Sequence, residues 1–149
     1  MKNVKLKRVR YSPGYCDMMG ACHGMTLEKN DSGWVFICRD REEHSMPTVV
    51  TVYEAGEEAV LLFEKFLNEN KVLSLAKRPA SSDFVTDYSP WSYEIDFQKT
   101  SFGKTVRKYC SVSEYRKYSK KDIRLLKELN ARFTALRGGK ISETVEEDR

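Results

Sequence analysis

Cys16, Cys22, His23, Cys38 and His44 are the residue types that bind transition metals or serve as nucleophile and base. None of them falls into the Cys-x-x-Cys or His-x-x-x-His spacing that lets one turn or one helix face deliver two ligands together. Cys22 and His23 are adjacent, and in a strand their side chains would leave on opposite faces. The expectation is therefore no metal and no cofactor, with the cysteines present as small core thiols. A thiol- or metal-dependent enzyme around Cys16, Cys22 and His23 is the third reading of function.

Glu94 and Asp96 share one face of an alternating segment, the placement that paired acid–base carboxylates need. Arg107 across a hairpin gives a simpler reading, a salt-bridged sheet surface, and no catalytic residue is assigned. Gly138-Gly139 follows a helical pattern instead of opening one, so its amides would not join a helix N-terminus to cradle phosphate. Basic and aromatic residues interleave in Arg107, Tyr109, Tyr115, Arg116, Lys117, Tyr118, Lys120 and Lys121. Such residues can neutralise phosphates and stack on unpaired bases, which makes this stretch the candidate nucleic-acid surface. No ribonucleoprotein, helix-turn-helix or zinc-finger pattern accompanies it.

Strands and helices must position these groups. Trp91, Tyr93, Ile95 and Phe97 alternate with Ser92, Glu94 and Asp96, the period of a half-buried strand. The run Ser32 to Cys38 is a weaker echo. Each is followed by a turn, a β-branched run and a helix-period segment, which suggests a degenerate strand-strand-helix unit used twice, over 21–76 and 88–138. Val4 to Lys7 reads as a first strand in a solvated or edge position, broken at Tyr11-Ser12-Pro13-Gly14. Cys22 to Glu28 hairpins through Lys29-Asn30-Asp31-Ser32-Gly33 into the Trp34 strand. After a charged loop from Arg39 to His44, Pro47 to Tyr53 is the fourth strand.

Two registers follow. With Asp40 near Pro47, Cys38 faces Val49, Phe36 faces Thr51 and Trp34 faces Tyr53. The reverse face then carries Val35, Ile37, Val50 and Val52, an apolar set that another segment, a second copy or a partner should cover. In the second hairpin, Gln98 opposite Thr105 sets Asp96 by Arg107 and Glu94 by Tyr109. Glu57 to Asn68 is an amphipathic helix, and Val72 to Leu75 is too short to classify. Ser119 to Asp122 is a capping box with Asp at its third position, opening a helix with Ile123, Leu126, Leu129, Phe133 and Leu136 on one face. Residues 140–149 read as a frayed acidic tail.

These elements imply one α+β domain over 1–149: an antiparallel sheet of about six strands with two helices on one face. A length of 149 residues suits a single core, and 40% apolar with 32% charged residues describes an ordinary globular chain. The net charge of +4 arises from mixed signs and argues only weakly for nucleic acid. No secretion signal or membrane-length apolar run is found, and the irregular cysteine spacing suits a reducing, cytoplasmic setting. The first functional reading is a small non-catalytic binding protein that works through contacts with a protein partner or a second copy. The second is a nucleic-acid module using 107–121.

Overall fold

The computed structural model describes residues 3–13, 22–42, 46–81 and 91–146. Among them run the strands β1 (Asn3–Ser12), β2 (Cys22–Asn30), β3 (Gly33–Arg41) and β4 (Thr48–Glu54), then the helix α1 (Glu57–Glu69) and a 3-10 helix (Val72–Lys77). The strands β5 (Ser92–Ser101) and β6 (Lys104–Ser113), the helix α2 (Lys120–Thr134) and the strand β7 (Lys140–Glu146) follow. The strands form one antiparallel sheet in the order β6-β5-β1-β2-β3-β4-β7.

The α+β antiparallel architecture expected from the sequence is present, with seven strands among the described residues where about six were expected. The added strand is β7, formed where the chain was expected to fray, and it pairs with the β-branched edge of β4. Its own alternation of Ile141, Glu143 and Val145 with Lys140, Ser142 and Thr144 suits a strand. The acidic load of the segment disguised it.

β1 is also longer and more central than its sequence suggests. Leu6 and Val9 are both about 1% exposed although an odd step of three positions separates them, because the register with β5 shifts between Leu6 and Arg8 and leaves Lys7 as a bulge. Beyond the bulge the strand continues to Ser12 between β2 and β5. The first half, which pairs with β5, is closed on its other side by α1. Glu64 accepts from the Leu6 amide (3.0 Å), and Asn68 bonds both the amide and the carbonyl of Val4 (3.3 and 3.2 Å). A helix thus takes up backbone groups that would otherwise form an open edge.

Both helices bury their apolar stripes on one face of the sheet, α1 through Val60, Phe63, Phe66 and Leu67 and α2 through Leu129 and Phe133. They meet Leu27, Phe36, Ile95 and Val112 in a single core, and Val72 and Leu75 of the 3-10 helix complete it at i and i+3 spacing. The β5–β6 turn is a two-residue loop, Phe102-Gly103, with positive φ at both positions (52° and 76°).

Both expected hairpin registers are displaced by two residues. Phe36 faces Tyr53 and Cys38 faces Thr51, while Asp96 faces Tyr109 and Gln98 faces Arg107. A slip of two keeps every side chain on its face, so the division into core and open faces survives while individual partners change.

Candidate functional site

The structure divides the interleaved segment 107–121 between two sides of the sheet. Arg107 and Tyr109 lie on the open face of β6, where the Tyr109 hydroxyl donates to Glu94 Oε1 at 3.1 Å. Partial desolvation, and next the bond to Glu94, push the Tyr109 phenol above its ordinary pKa although the side chain is more than half exposed. Tyr118 lies on the helix side. Its ring stacks on Trp91 (centroids 6.5 Å, planes 15° apart), and its hydroxyl donates to the Ser113 carbonyl at 2.6 Å. Arg116 Nη1 donates to the Arg78 carbonyl (2.9 Å), and its Nε is buried without a partner. Tyr115 is half-buried, whereas Lys117, Lys120 and Lys121 are exposed, the two last in the opening turn of α2. These residues are not brought together on one surface.

A polar network at the start of α2 explains part of that division. Ser119 and Asp122 form the reciprocal cap expected from the sequence: Ser119 Oγ accepts the Asp122 amide and Asp122 Oδ2 accepts the Ser119 amide, both at 3.1 Å. The same carboxylate, about 7% exposed, takes two bonds from Arg78 at 2.9 and 3.1 Å. The Arg78 bond, helped by the Ser119 amide, outweighs burial and holds the Asp122 carboxyl below its ordinary value. A group shifted down stabilises the fold fully above the ordinary aspartate pKa of about 3.9, and the gain disappears as pH falls through the lowered folded value. Asp122→Ala is expected to cost about 2 kcal/mol at pH 7, the scale of losing a charge-assisted hydrogen bond to a carboxylate. In urea titrations the gap between variant and parent should narrow as pH falls below about 4. A pH-independent gap would mean that packing, not charge, carries the effect.

Glu94 and Asp96 are held by arginines of β1 instead of Arg107: Arg8 to Asp96 at 3.2 Å and Arg10 to Glu94 at 3.7 Å. The expected cross-hairpin ion pair of Asp96 with Arg107 is lost to the register slip. Cys38 is buried, and its thiol pKa is raised by burial first and by Asp40 next. Burial pushes Cys110 up to about 11. Neither thiol has the depressed pKa of an activated nucleophile. His23 bonds Asp40 through Nδ1 at 2.8 Å, and Cys22 pairs with Arg41 along the strand. Cys16 and His44 lie outside the described residues. Among the described residues no three His, Cys, Asp or Glu side chains converge as a metal site.

Of the apolar open-face set, Val35 and Val50 are buried at 5% and 8% exposure within this chain, apart from the main core, while Ile37 and Val52 are half-buried. Ile37 lines a concavity. This trough of about 500 Å³ on the open face is walled by Arg8 and Arg10 of β1 and by Arg39 and Arg41 of β3, over a floor of Gly24 and Thr26 on β2. A second groove of about 420 Å³, between α2 and the sheet, is lined by Tyr11, Trp91, Tyr93, Tyr118, Ile123 and Leu126 among others. Burial raises the Tyr11 and Tyr93 phenols, and Tyr93 donates to Asn130 at 2.7 Å.

Sequence reading missed the arginine walls. Arg8 and Arg10 lie past the Lys7 bulge, and Arg39 and Arg41 belong to a stretch taken for loop. Their i, i+2 spacing in both segments was the available signal.

No protein-family model matches the chain, and no curated protein or solved structure does so either. Among the described residues no helix is long and apolar enough to cross a membrane.

Proposed function

We propose that this chain is a cytoplasmic, non-catalytic binding protein that engages an extended acidic segment of a protein partner along the outer edge of β6. The observation that carries this reading is Phe102, fully exposed at the tip of the β5–β6 hairpin and held at φ 52°. A two-residue turn with positive φ at both positions favours Asn, Asp or Gly, so a phenylalanine there costs stability and gains no burial within the chain. A side chain kept under those conditions serves a contact outside the chain.

The neighbouring edge suits such a contact. β6 is the end strand of the sheet, and Lys104 to Tyr109 is exposed throughout, including Val106 and Tyr109. From Ser101 to Tyr109 the chain carries Lys104, Arg107 and Lys108 and no acidic residue. Among the described residues no strand pairs with the outer side of β6, and main-chain groups on such an edge accept an added strand while alternate side chains choose which one. The same three charges repel a second copy of this edge, which favours a different, acidic protein over self-pairing here. The reading takes β5, β6 and α2 as the second of two strand-strand-helix units, with the hairpin as its working part. The nucleic-acid alternative draws less support, because Tyr118 and Arg116 are engaged in packing on the opposite side of the sheet from Tyr109.

Phe102→Asn separates contact from fold. Relief of the left-handed phenylalanine should raise stability by about 1 kcal/mol, read by urea denaturation. Photo-crosslinking from position 102 in cells should capture acidic, extended protein segments, and the same probe at Lys65 on α1 should not. Tyrosine-dependent, salt-steep binding of random single-stranded oligonucleotides, with no such protein captured, would instead install the nucleic-acid reading.

A further inference from the structure

The open face of the sheet holds a second feature, independent of the β6 edge. Arg8 and Arg10 on β1 and Arg39 and Arg41 on β3 flank β2, so the two rows stand two strand spacings apart, about 10 Å. Between them β2 offers Thr26, opposite both Arg10 and Ile37, and Gly24, opposite Arg39. Small residues in the middle strand make the floor low while the flanking arginines make the walls high. Among the described residues Glu28 is the one acidic residue in the lining, opposite Arg8 at one end.

Arg8, Arg10 and Arg39 are held by carboxylates that stand outside the trough. Asp96 and Glu94 on β5 hold Arg8 and Arg10, and Glu146 on β7 holds Arg39 at 3.2 Å. A guanidinium carries five N–H donors, so such a contact orients the group and leaves donors for a ligand. The pairs are half-exposed and individually weak, so an anion bridging both rows would exploit their placement without having to break a strong bond. A volume of about 500 Å³ lies within the usual range for small-molecule sites. Thr26 and Ile37 add a hydroxyl and an apolar contact midway.

We infer that this trough binds a small elongated organic anion that carries an oxyanion group, phosphate or carboxylate, at each end, one group held by each arginine row. The low floor admits the body of the ligand across β2, and the wall-to-wall spacing selects against compact anions.

The test is titration of the full chain with three probes, tripolyphosphate, the eight-carbon dicarboxylate suberate, and inorganic phosphate, followed by amide chemical shifts. Tripolyphosphate or suberate should bind more tightly than inorganic phosphate, with shifts centred on Gly24, Thr26 and Arg39, and binding should weaken as salt is added. Which of the two binds tighter identifies the end groups. Arg10→Gln and Arg39→Gln should each weaken binding about tenfold, the loss expected for one charge-assisted hydrogen bond. Lys65→Gln, on α1, should change nothing. Gly24→Leu should block binding by filling the floor, and the arginine variants keep the test decisive if this one misfolds. Equal weak binding of all three probes, shifts scattered over the lysine-rich surface, or indifference to both arginine changes would each overturn the inference, as would binding confined to acidic peptides.

Discussion

Phe133→Ala should remove about 3–5 kcal/mol of folding stability, a large share of the roughly 5–15 kcal/mol that holds a domain of this size together. The Phe133 ring is fully buried and touches three others: Phe36 of β3 at 5.1 Å, Tyr93 of β5 at 5.8 Å and Phe63 of α1 at 6.0 Å between centroids. It therefore joins α2 to two separated strands and to the other helix. Truncation loses the transfer energy of the ring and leaves a cavity bordered by aromatic groups that cannot all collapse into it. Phe133→Leu should cost less, about 1.5 kcal/mol, because most of the volume stays. Urea denaturation of the two variants checks both figures. A loss below about 1 kcal/mol for the alanine variant would mean that α2 is not docked where these ring contacts require.

Much of that core was legible because helix and strand periods announce it. Leu129 and Phe133 fall on the face read from the sequence, the Ser119–Asp122 box caps α2 as its residue types require, and the strand faces are assigned correctly even where partners are displaced. A displacement of two leaves no mark in an alternating pattern, so hydrophobicity cannot tell the true register from its neighbour. Ile123 departs from the helical pattern. It shares the α2 stripe yet is about 45% exposed, and it lines the aromatic groove beside Tyr118 instead of entering the core.

The misread elements have a common physical cause, a local feature that masks the period of two. The Lys7 bulge inverts the alternation in mid-strand, so Leu6 and Val9 read as unrelated although both point into the core. β7 shows no buried residue at all, and its assignment depends on the otherwise unpaired edge of β4, whose partner residues lie 87 to 98 positions away in no single window of sequence. Arg39, Asp40 and Arg41 read as loop because consecutive charges suggest solvent, whereas here the strand runs on with its arginines over the open face. The trough followed the same fate. Its walls come from two strands whose adjacency to a common neighbour is a property of the topology, and neither wall is remarkable alone.

Gly138→Ala should release β7 from the sheet while leaving the core intact. A Cβ at Gly138 would sit 2.6 Å from the Glu54 carbonyl oxygen, a backbone atom that cannot swing aside. The approach is close because Gly138 donates to that carbonyl at 2.8 Å while the Glu54 amide donates to Gly139 at 2.8 Å, and this pair of bonds starts the β4–β7 ladder. One methyl group therefore opens the entry to the strand. Every β7 side chain is exposed, so little apolar burial opposes the opening once these bonds go. The amides of 140–146 should then exchange about a hundredfold faster, equivalent to about 2.7 kcal/mol of local stability, with α2 and the β5–β6 hairpin unchanged. Gly139→Ala is the control, since its Cβ would meet only the Glu54 carboxylate at 3.9 Å, an ordinary contact. The detached variant should also aggregate, because Thr48 to Val52 becomes a free β-branched edge with no charge to guard it. Protection of 140–146 that survives Gly138→Ala would show that β7 is held by something other than this entry.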